Sequence, residues 1–337
     1  MTINVALVTS EALILGCDSI ASATTPMIQP FSGPLAKDAS GKELQDADGN
    51  FVVPLTNVQQ VVTDVFVGVT KMFQIYDRNG TCVAATTAGM AKLNDMSIAS
   101  LARDFLEKEK DKTKAFVNVY AVANSFLRFF RKAYEKDQKG TGLPEQYWSQ
   151  LEFLVGGYGK HDNFPSLFRV KVKDNTVDKE FGDGECGLAW SGQADAIERL
   201  IRGYDSSLRY LVESHIGELM DKHHKNMSDS ILKILKSTLD SLGKEMPKGV
   251  NTKLPTMPTT NLGWEDFHAA IDYSNLPLQD AIDFVSFLAF MQAGRQKFSR
   301  GFATVGGRIH IGLSRKGEKF NMLNEPDLTH EHTGFSS

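Results

Sequence analysis

The sequence predicts an α+β fold, a four-layer αββα sandwich in which two sheets pack face to face beneath outer layers of helices. Three observations predict it. Strand-like runs, two helical patterns, more strands, more helices and a last strand follow one another without βαβ alternation. Runs such as residues 12–17 (ALILGC) are apolar on both faces, as strands covered on two sides must be. No Gly-rich phosphate loop interrupts the order. The expected organisation is one domain over 1–315, with a loop inserted at about 22–60 and an enlarged helical region at about 194–275, then a polar tail over 316–337.

Residues 3–9 and 12–17 read as two strands joined by a turn near Ser10-Glu11. Residues 22–60 are rich in Thr, Pro, Gly, Asp and Gln, and read as a long surface loop or an insertion with a small hairpin of its own; Asp38 to Asp48 is a solvated part of it. TKMFQIYD and TCVAATTAG flank Arg78-Asn79-Gly80, which predicts a hairpin. The Asn79-Gly80-Thr81 match to a glycosylation acceptor is read as that turn. A helix over 94–110 would be capped at Asn94-Asp95, and a second, over 113–136, carries Phe116, Val119, Tyr120, Ala123, Phe126 and Phe130 at helical spacing. The Phe126-Phe129-Phe130 cluster reads as core or subunit contact. Strands return in QLEFLVGGY, SLFRVKVKD and ECGLAWSG. Helix resumes from about Ala194 in two pieces, the second beginning at SDSILKILK, and 244–262 reads as a connector. A helix over about 277–297 and a strand region at 302–314, kinked at Gly306-Gly307, close the fold; the tail is expected to fray.

Composition narrows the function. The 337 residues are 42% hydrophobic and 23% charged with a net charge of −4, which gives nucleic acid or an acidic membrane no electrostatic claim as partner. No apolar run approaches a membrane span, and no basic region followed by an apolar core marks a secretory signal, so a cytoplasmic protein is expected. Three scattered cysteines, Cys17, Cys82 and Cys186, read as buried thiols of a reducing compartment. His223-His224 and His330-Glu331-His332 lack partners at ligand spacing and read as solvated, so neither a metal nor another cofactor is expected.

Four short features combine into chemistry. Thr2 becomes the N-terminus if Met1 is removed; Asp18-Ser19 closes the second strand 16 residues later; Lys71 precedes an apolar strand in Lys71-Met72-Phe73-Gln74-Ile75; Gly89 lies in Ala88-Gly89-Met90-Ala91 at a strand-to-helix junction. In order and spacing this resembles the proteasome β-type subunits and the peptidase of the bacterial two-component ATP-dependent protease, which are N-terminal-nucleophile hydrolases of αββα fold. LVGGYGKHDNFPSLFRV resembles the family's next hairpin and Trp190-Ser191-Gly192 its Gly-Ser-Gly turn. The resemblance spans most of 2–200 and returns at 276–313. It implies a threonine peptidase with Thr2 as nucleophile and Asp18, Lys71, Gly89 and Ser191 in support, Ser191 either bonding the Thr amine or merely beginning a helix. It implies peptide or unfolded protein as substrate, paired to Ala21-Ser22 and Gly89–Ala91 as an added strand. A specificity pocket would draw on Ile20 or Ala21, Val69, Phe73, Thr87, Ala91 and Asp95, the last favouring a basic residue before the scissile bond. A homo-oligomer or ring, and an ATPase unfoldase as partner, follow from the resemblance alone.

The chemistry is intelligible residue by residue. A Thr hydroxyl is a poor nucleophile until a base takes its proton. A free α-amino group titrates near pH 7.7–8.0 as a rough reference and belongs to the same residue, so it is a base already in position. A nearby Lys71 ammonium lowers that value and stabilises developing negative charge, and Asp18 offers the counter-charge a buried lysine needs. The Gly89 amide suits a tetrahedral oxyanion, a contact worth roughly 3–4 kcal/mol.

The sequence departs from the family in three places. Ile20 stands where a basic residue usually follows Asp-Ser. The supporting Asp and Ser near the last helix have no clear counterpart in Phe302-Ala303-Thr304-Val305-Gly306-Gly307, although another register would offer Ser299, with Gly301 nearby. The 22–60 loop and the helices at 194–243 are additions. A small-amide hydrolase on the same fold and a catalytically inactive scaffold or binding subunit therefore stay open beside the peptidase.

Overall fold

A computed structural model describes residues 2–28, 35–54, 58–245, 263–299 and 302–323. The strands in chain order are β1 (Ile3–Val8), β2 (Ala12–Asp18), β3 (Ile20–Ile28), β4 (Val58–Val67), β5 (Met72–Arg78), β6 (Thr81–Gly89), β7 (Lys92–Leu93), β8 (Met96–Ser97), β9 (Leu151–Tyr158), β10 (Ser166–Lys171), β11 (Thr176–Phe181), β12 (Gly187–Gly192), β13 (Ile309–Arg315) and β14 (Asn321–Met322). The helices are α1 (Ile98–Lys110), α2 (Val119–Gly140), α3 (Asp195–Arg202), α4 (Ser206–Ser241) and α5 (Leu278–Phe298). The chain divides into two compact units, one of 1–194 with 272–337, the other of 195–271.

The first unit is mixed α/β. Its two larger sheets are antiparallel and five-stranded, ordered β12-β1-β2-β13-β14 and β11-β10-β9-β6-β5. Ala6, Val8, Leu13, Leu15, Cys17 and Ala189 of the first sheet share an apolar cluster with Met72, Ala84, Leu154 and Leu167 of the second. On the other side of the first sheet α5 packs against β1, β2 and β13. Gly16 permits that approach, because a Cβ there would collide with Val285 of α5. Strands β1 and β2 are thus covered twice, which is why neither alternates. α1 and α2 lie against the second sheet, where Phe105, Phe126, Phe130 and Phe153 meet with ring centroids 4.6–5.1 Å apart along the Phe105–Phe126–Phe130 and Phe126–Phe153 contacts.

Several boundaries differ from expectation for local reasons. Asn94 and Asp95 both have positive φ and make the two-residue turn between β7 and β8, a geometry suited to Asn and Asp, so they do not cap α1. Ser97 caps it instead, accepting from the Ser100 amide. Gly89 therefore opens onto a small hairpin, not directly onto a helix. α2 begins at Val119, six residues beyond the expected start at 113, because the Asn118 side chain caps it by accepting from the Ala121 amide. Residues 20–28 and 58–67 pair as a two-stranded antiparallel ladder, so the inserted region is framed by strands, and inside it Asp38 and Asp46 each fold the backbone back through side-chain bonds to following amides. TVDKEF, not among the strands expected from the sequence, is the edge strand β11. The stretch expected as a fraying tail begins with a β13–β14 pairing and Phe320 packs on the inter-sheet cluster. Cys17 and Cys82 are buried, but Cys186 is only half-buried; all three are free thiols.

In the second unit, α3 and α4 are separated at Gly203, whose φ is positive, and Asp205 caps α4 by accepting from the Leu208 amide. The sequence reads a break at Ser228-Asp229, yet α4 is continuous there, since a half-buried Ser and an exposed Asp are tolerated within a long helix. Tyr204, Trp264, Phe267 and His268 cluster beside α3, and Trp264 donates to Glu213 at 3.0 Å. No described helix is long and apolar enough to cross a membrane. His330-Glu331-His332 and the 246–262 part of the expected connector lie outside the described residues.

Phe153 of β9 is fully buried and packs against Phe126 and Phe130 of α2 and Phe73 of β5. Phe153→Ala is expected to lower unfolding stability by about 3–5 kcal/mol, read as a lower midpoint at unchanged slope in denaturant titration.

Candidate active site

The β1–β2 hairpin brings the ends of its strands together, so Thr2 and Asp18 meet although 16 residues separate them. The Thr2 hydroxyl donates to Asp18 Oδ1 at 2.6 Å. Lys71, in the segment before β5, donates to Thr2 Oγ1 at 2.6 Å, to Asp18 Oδ1 at 2.7 Å and to the Ile20 carbonyl. All three ammonium protons are thereby used. Thr2, Asp18 and Lys71 are each at most 5% exposed.

Asp18 is held on every side. Oδ1 also accepts from the Ile3 amide at 3.1 Å, and Oδ2 accepts from the Ile20 and Gly306 amides at 3.2 and 3.0 Å. Ser19 ties the same segment down, donating its amide to the Gly306 carbonyl and accepting from Arg308. Burial pulls the Lys71 ammonium below the usual lysine range, and Asp18 opposes that shift as its counter-ion. Burial, with Asp18 next to it, pushes the neighbouring Cys17 thiol far up, so it stays neutral.

Two cavities adjoin this cluster, and Thr2 and Gly89 line both. One, of about 250 Å³, is bounded by Ala21, Ser22, Val69, Lys71, Thr87 and Ala91, with α1 at its far wall. The other, of about 360 Å³, is bounded by Glu152, Lys171, Asp174, Gly192 and Gln193. At Gly89 a Cβ would collide with the Gln150 carbonyl, and φ is +98°, so glycine is required.

Not every expected residue is here. Ile20 contributes its carbonyl to Lys71 but does not line either cavity. Phe73 turns to the helix-side core and packs edge-on against Phe153 at 6.4 Å. Asp95 is exposed in the β7–β8 turn and lines neither cavity. Ser191 lies inside β12 opposite Asn4 and accepts from the Asn4 side chain at 2.9 Å; it neither starts a helix nor bonds Thr2. Ser299 closes α5 by donating to the Arg295 carbonyl.

Other residues occupy those places. Gln193 donates its amide to the Thr2 carbonyl at 2.7 Å and accepts from Thr304 at 2.9 Å, so Thr304 reaches the start of β1 through Gln193. The Gly306 amide on Asp18 left no side-chain signal in the sequence; only the Gly306-Gly307 pair marked an unusual backbone. Among the described residues no three His, Cys, Asp or Glu side chains gather as a metal site.

No protein-family model matches the chain, and no curated protein matches it in sequence. Among solved structures it is similar to Anbu (ancestral beta-subunit) from Yersinia bercovieri, at 10% identity over 96% of this chain and 87% of that one, with a TM-score of 0.46. It is similar also to the Anbu complex of Pseudomonas aeruginosa, described as a helical assembly, at 11% identity over 97% and 88%, with a TM-score of 0.46. An Anbu Gly-1 mutant from Hyphomicrobium sp. strain MC1 gives 12% identity over 97% and 89%, with a TM-score of 0.44.

Removing one member of the buried pair leaves an uncompensated charge. Lys71→Met and Asp18→Asn are each expected to cost about 3–5 kcal/mol in unfolding stability, and the double variant less than the sum; a double-mutant cycle by denaturant titration checks this.

Proposed function

We propose that this protein is a threonine peptidase of the N-terminal-nucleophile type, built as a proteasome-like four-layer αββα domain to which the second unit and the β3–β4 insertion are additions. One observation carries the reading: a buried threonine hydroxyl bonded to both a lysine ammonium and an aspartate, placed where two cavities meet. A cavity on each side of a nucleophile suits a chain that continues on both sides of the scissile bond.

In this reading removal of Met1 frees the Thr2 amine. The amine, directly or through water, takes the hydroxyl proton as Oγ1 attacks the substrate carbonyl carbon. Lys71 stabilises the developing negative charge on Oγ1, and Asp18 fixes Lys71. The tetrahedral oxyanion is received by the Gly89 amide. Strand geometry supports that assignment: the Thr87 amide donates to the Lys71 carbonyl, and residues two apart on a strand direct their amides to the same side, so Gly89 directs its own past the end of β5 toward Thr2. The tetrahedral species collapses as the scissile C–N bond breaks and the leaving amine takes the proton from the Thr2 ammonium. Water then hydrolyses the Thr2 ester. Ala21 and Ser22 at the cavity wall would pair with the substrate backbone.

The protein is proposed to act as a homo-oligomer. α5 is apolar on two faces: Ala281, Val285 and Leu288 face the sheet, while Phe287 and Phe290 remain more than half exposed.

Thr2→Ala is expected to abolish hydrolysis across a fluorogenic peptide library, a loss of at least about 10³-fold in kcat/KM, while the circular dichroism spectrum stays native. Equal hydrolysis by both proteins would sink the peptidase reading. Hydrolysis of small amides alone would place the protein with the amidohydrolases, and no hydrolysis of either would make it a scaffold.

A further inference from the structure

We propose that the 250 Å³ cavity beside Thr2 receives an acidic side chain, so that the preferred substrates carry Glu or Asp at the residue whose carbonyl is attacked. This rests on the reading of Thr2 as nucleophile and reverses the basic preference that Asp95 led the sequence to suggest.

Three features of the cavity point to an anion. Its far wall is the first turn of α1, residues Ile98, Ala99 and Ser100, with the Ser97 cap. A helix N-terminus carries a partial positive charge, and no acidic residue of the first turn neutralises this one. Arg103, one turn further along α1, lines the same wall, and among the described residues no carboxylate or other acceptor engages its guanidinium. Thr87 lies deep in the lining at 6% exposure, and its hydroxyl has no hydrogen-bond partner.

Charge of the other sign is missing. Lys71 and Arg103 are the charged residues of the lining, and Lys71 is already paired with Asp18. A lysine side chain entering here would meet two cations and gain no counter-ion. The volume lies below the roughly 300–1,000 Å³ of small-molecule sites, which suits one side chain of moderate length. Glutamine has the shape of glutamate, but donors to a carboxylate make shorter and stronger bonds than donors to an amide. Arg103 is solvent-exposed and also borders a second cavity toward Phe320, so salt screens part of its contribution.

Binding tests the pocket apart from catalysis. Acetylated tetrapeptide amides ending in Glu or Gln are titrated against the Thr2→Ala protein by calorimetry, and again with Arg103→Ala added. Arg103 is an exposed helix residue, so the variant should fold. The expected result is about tenfold tighter binding of the Glu peptide, falling to within about twofold in Arg103→Ala and partly kept in Arg103→Lys. Equal affinity, no binding of either peptide, or a Glu preference unchanged by Arg103→Ala overturns the proposal. Selective binding by a protein whose wild type hydrolyses nothing would keep the pocket and discard the peptidase.

Discussion

The buried pair of Lys71 and Asp18 is the interaction on which the rest of the site depends. Two charges withdrawn from water are costly, and the cost is met only when every proton and lone pair finds a partner. Here the ammonium has three acceptors and the carboxylate five hydrogen bonds, from Thr2, Ile3, Ile20, Lys71 and Gly306. Those partners come from β1, the β2–β3 junction, the segment before β5 and the chain entering β13. The pair therefore joins the two sheets at the end where Thr2 sits, and local rearrangement of any one segment would leave a charge unsatisfied.

The surrounding fold explains why this end is open. β6 runs three residues beyond the end of its β5 ladder; the Thr87 amide donates to the Lys71 carbonyl, and Gly89 follows two residues on at the cavity wall. The β7–β8 turn then carries the chain sideways before α1 begins, which brings the start of that helix and Arg103 to the cavity wall. α5 covers the far side of β1 and β2 and makes the strand that begins after Thr2 fully buried. Rigid strands set Thr2 and Asp18, while a turn and a helix start set the cavity wall.

The sequence made the Thr2–Asp18–Lys71 cluster legible because its members are tied to regular structure. A tight β1–β2 hairpin fixes the meeting of Thr2 and Asp18 by residue count alone, and an apolar strand following Lys71 fixes the direction of approach. The pocket was less legible. Whether Asn94-Asp95 caps a helix or turns a hairpin depends on φ at two residues that favour both, and that choice exchanges an acid for Arg103 at the wall. β11 escaped notice because TVDKEF is a polar edge strand with no buried face to impose alternation. The Asp18–Gly306 bond is a backbone contact between residues 288 apart, and no residue type announces it. Thr304 and Gln193 bond each other across 111 residues of sequence, a pairing that no motif marks.

Intact-mass and peptide-map spectrometry after incubation with an electrophilic peptide inhibitor tests the central claim most directly. The expected result is a chain that begins at Thr2, with one covalent adduct on that residue and none when Lys71 is replaced by Met. Retention of Met1 on the Thr2 amine, or an adduct on any other side chain, would contradict it.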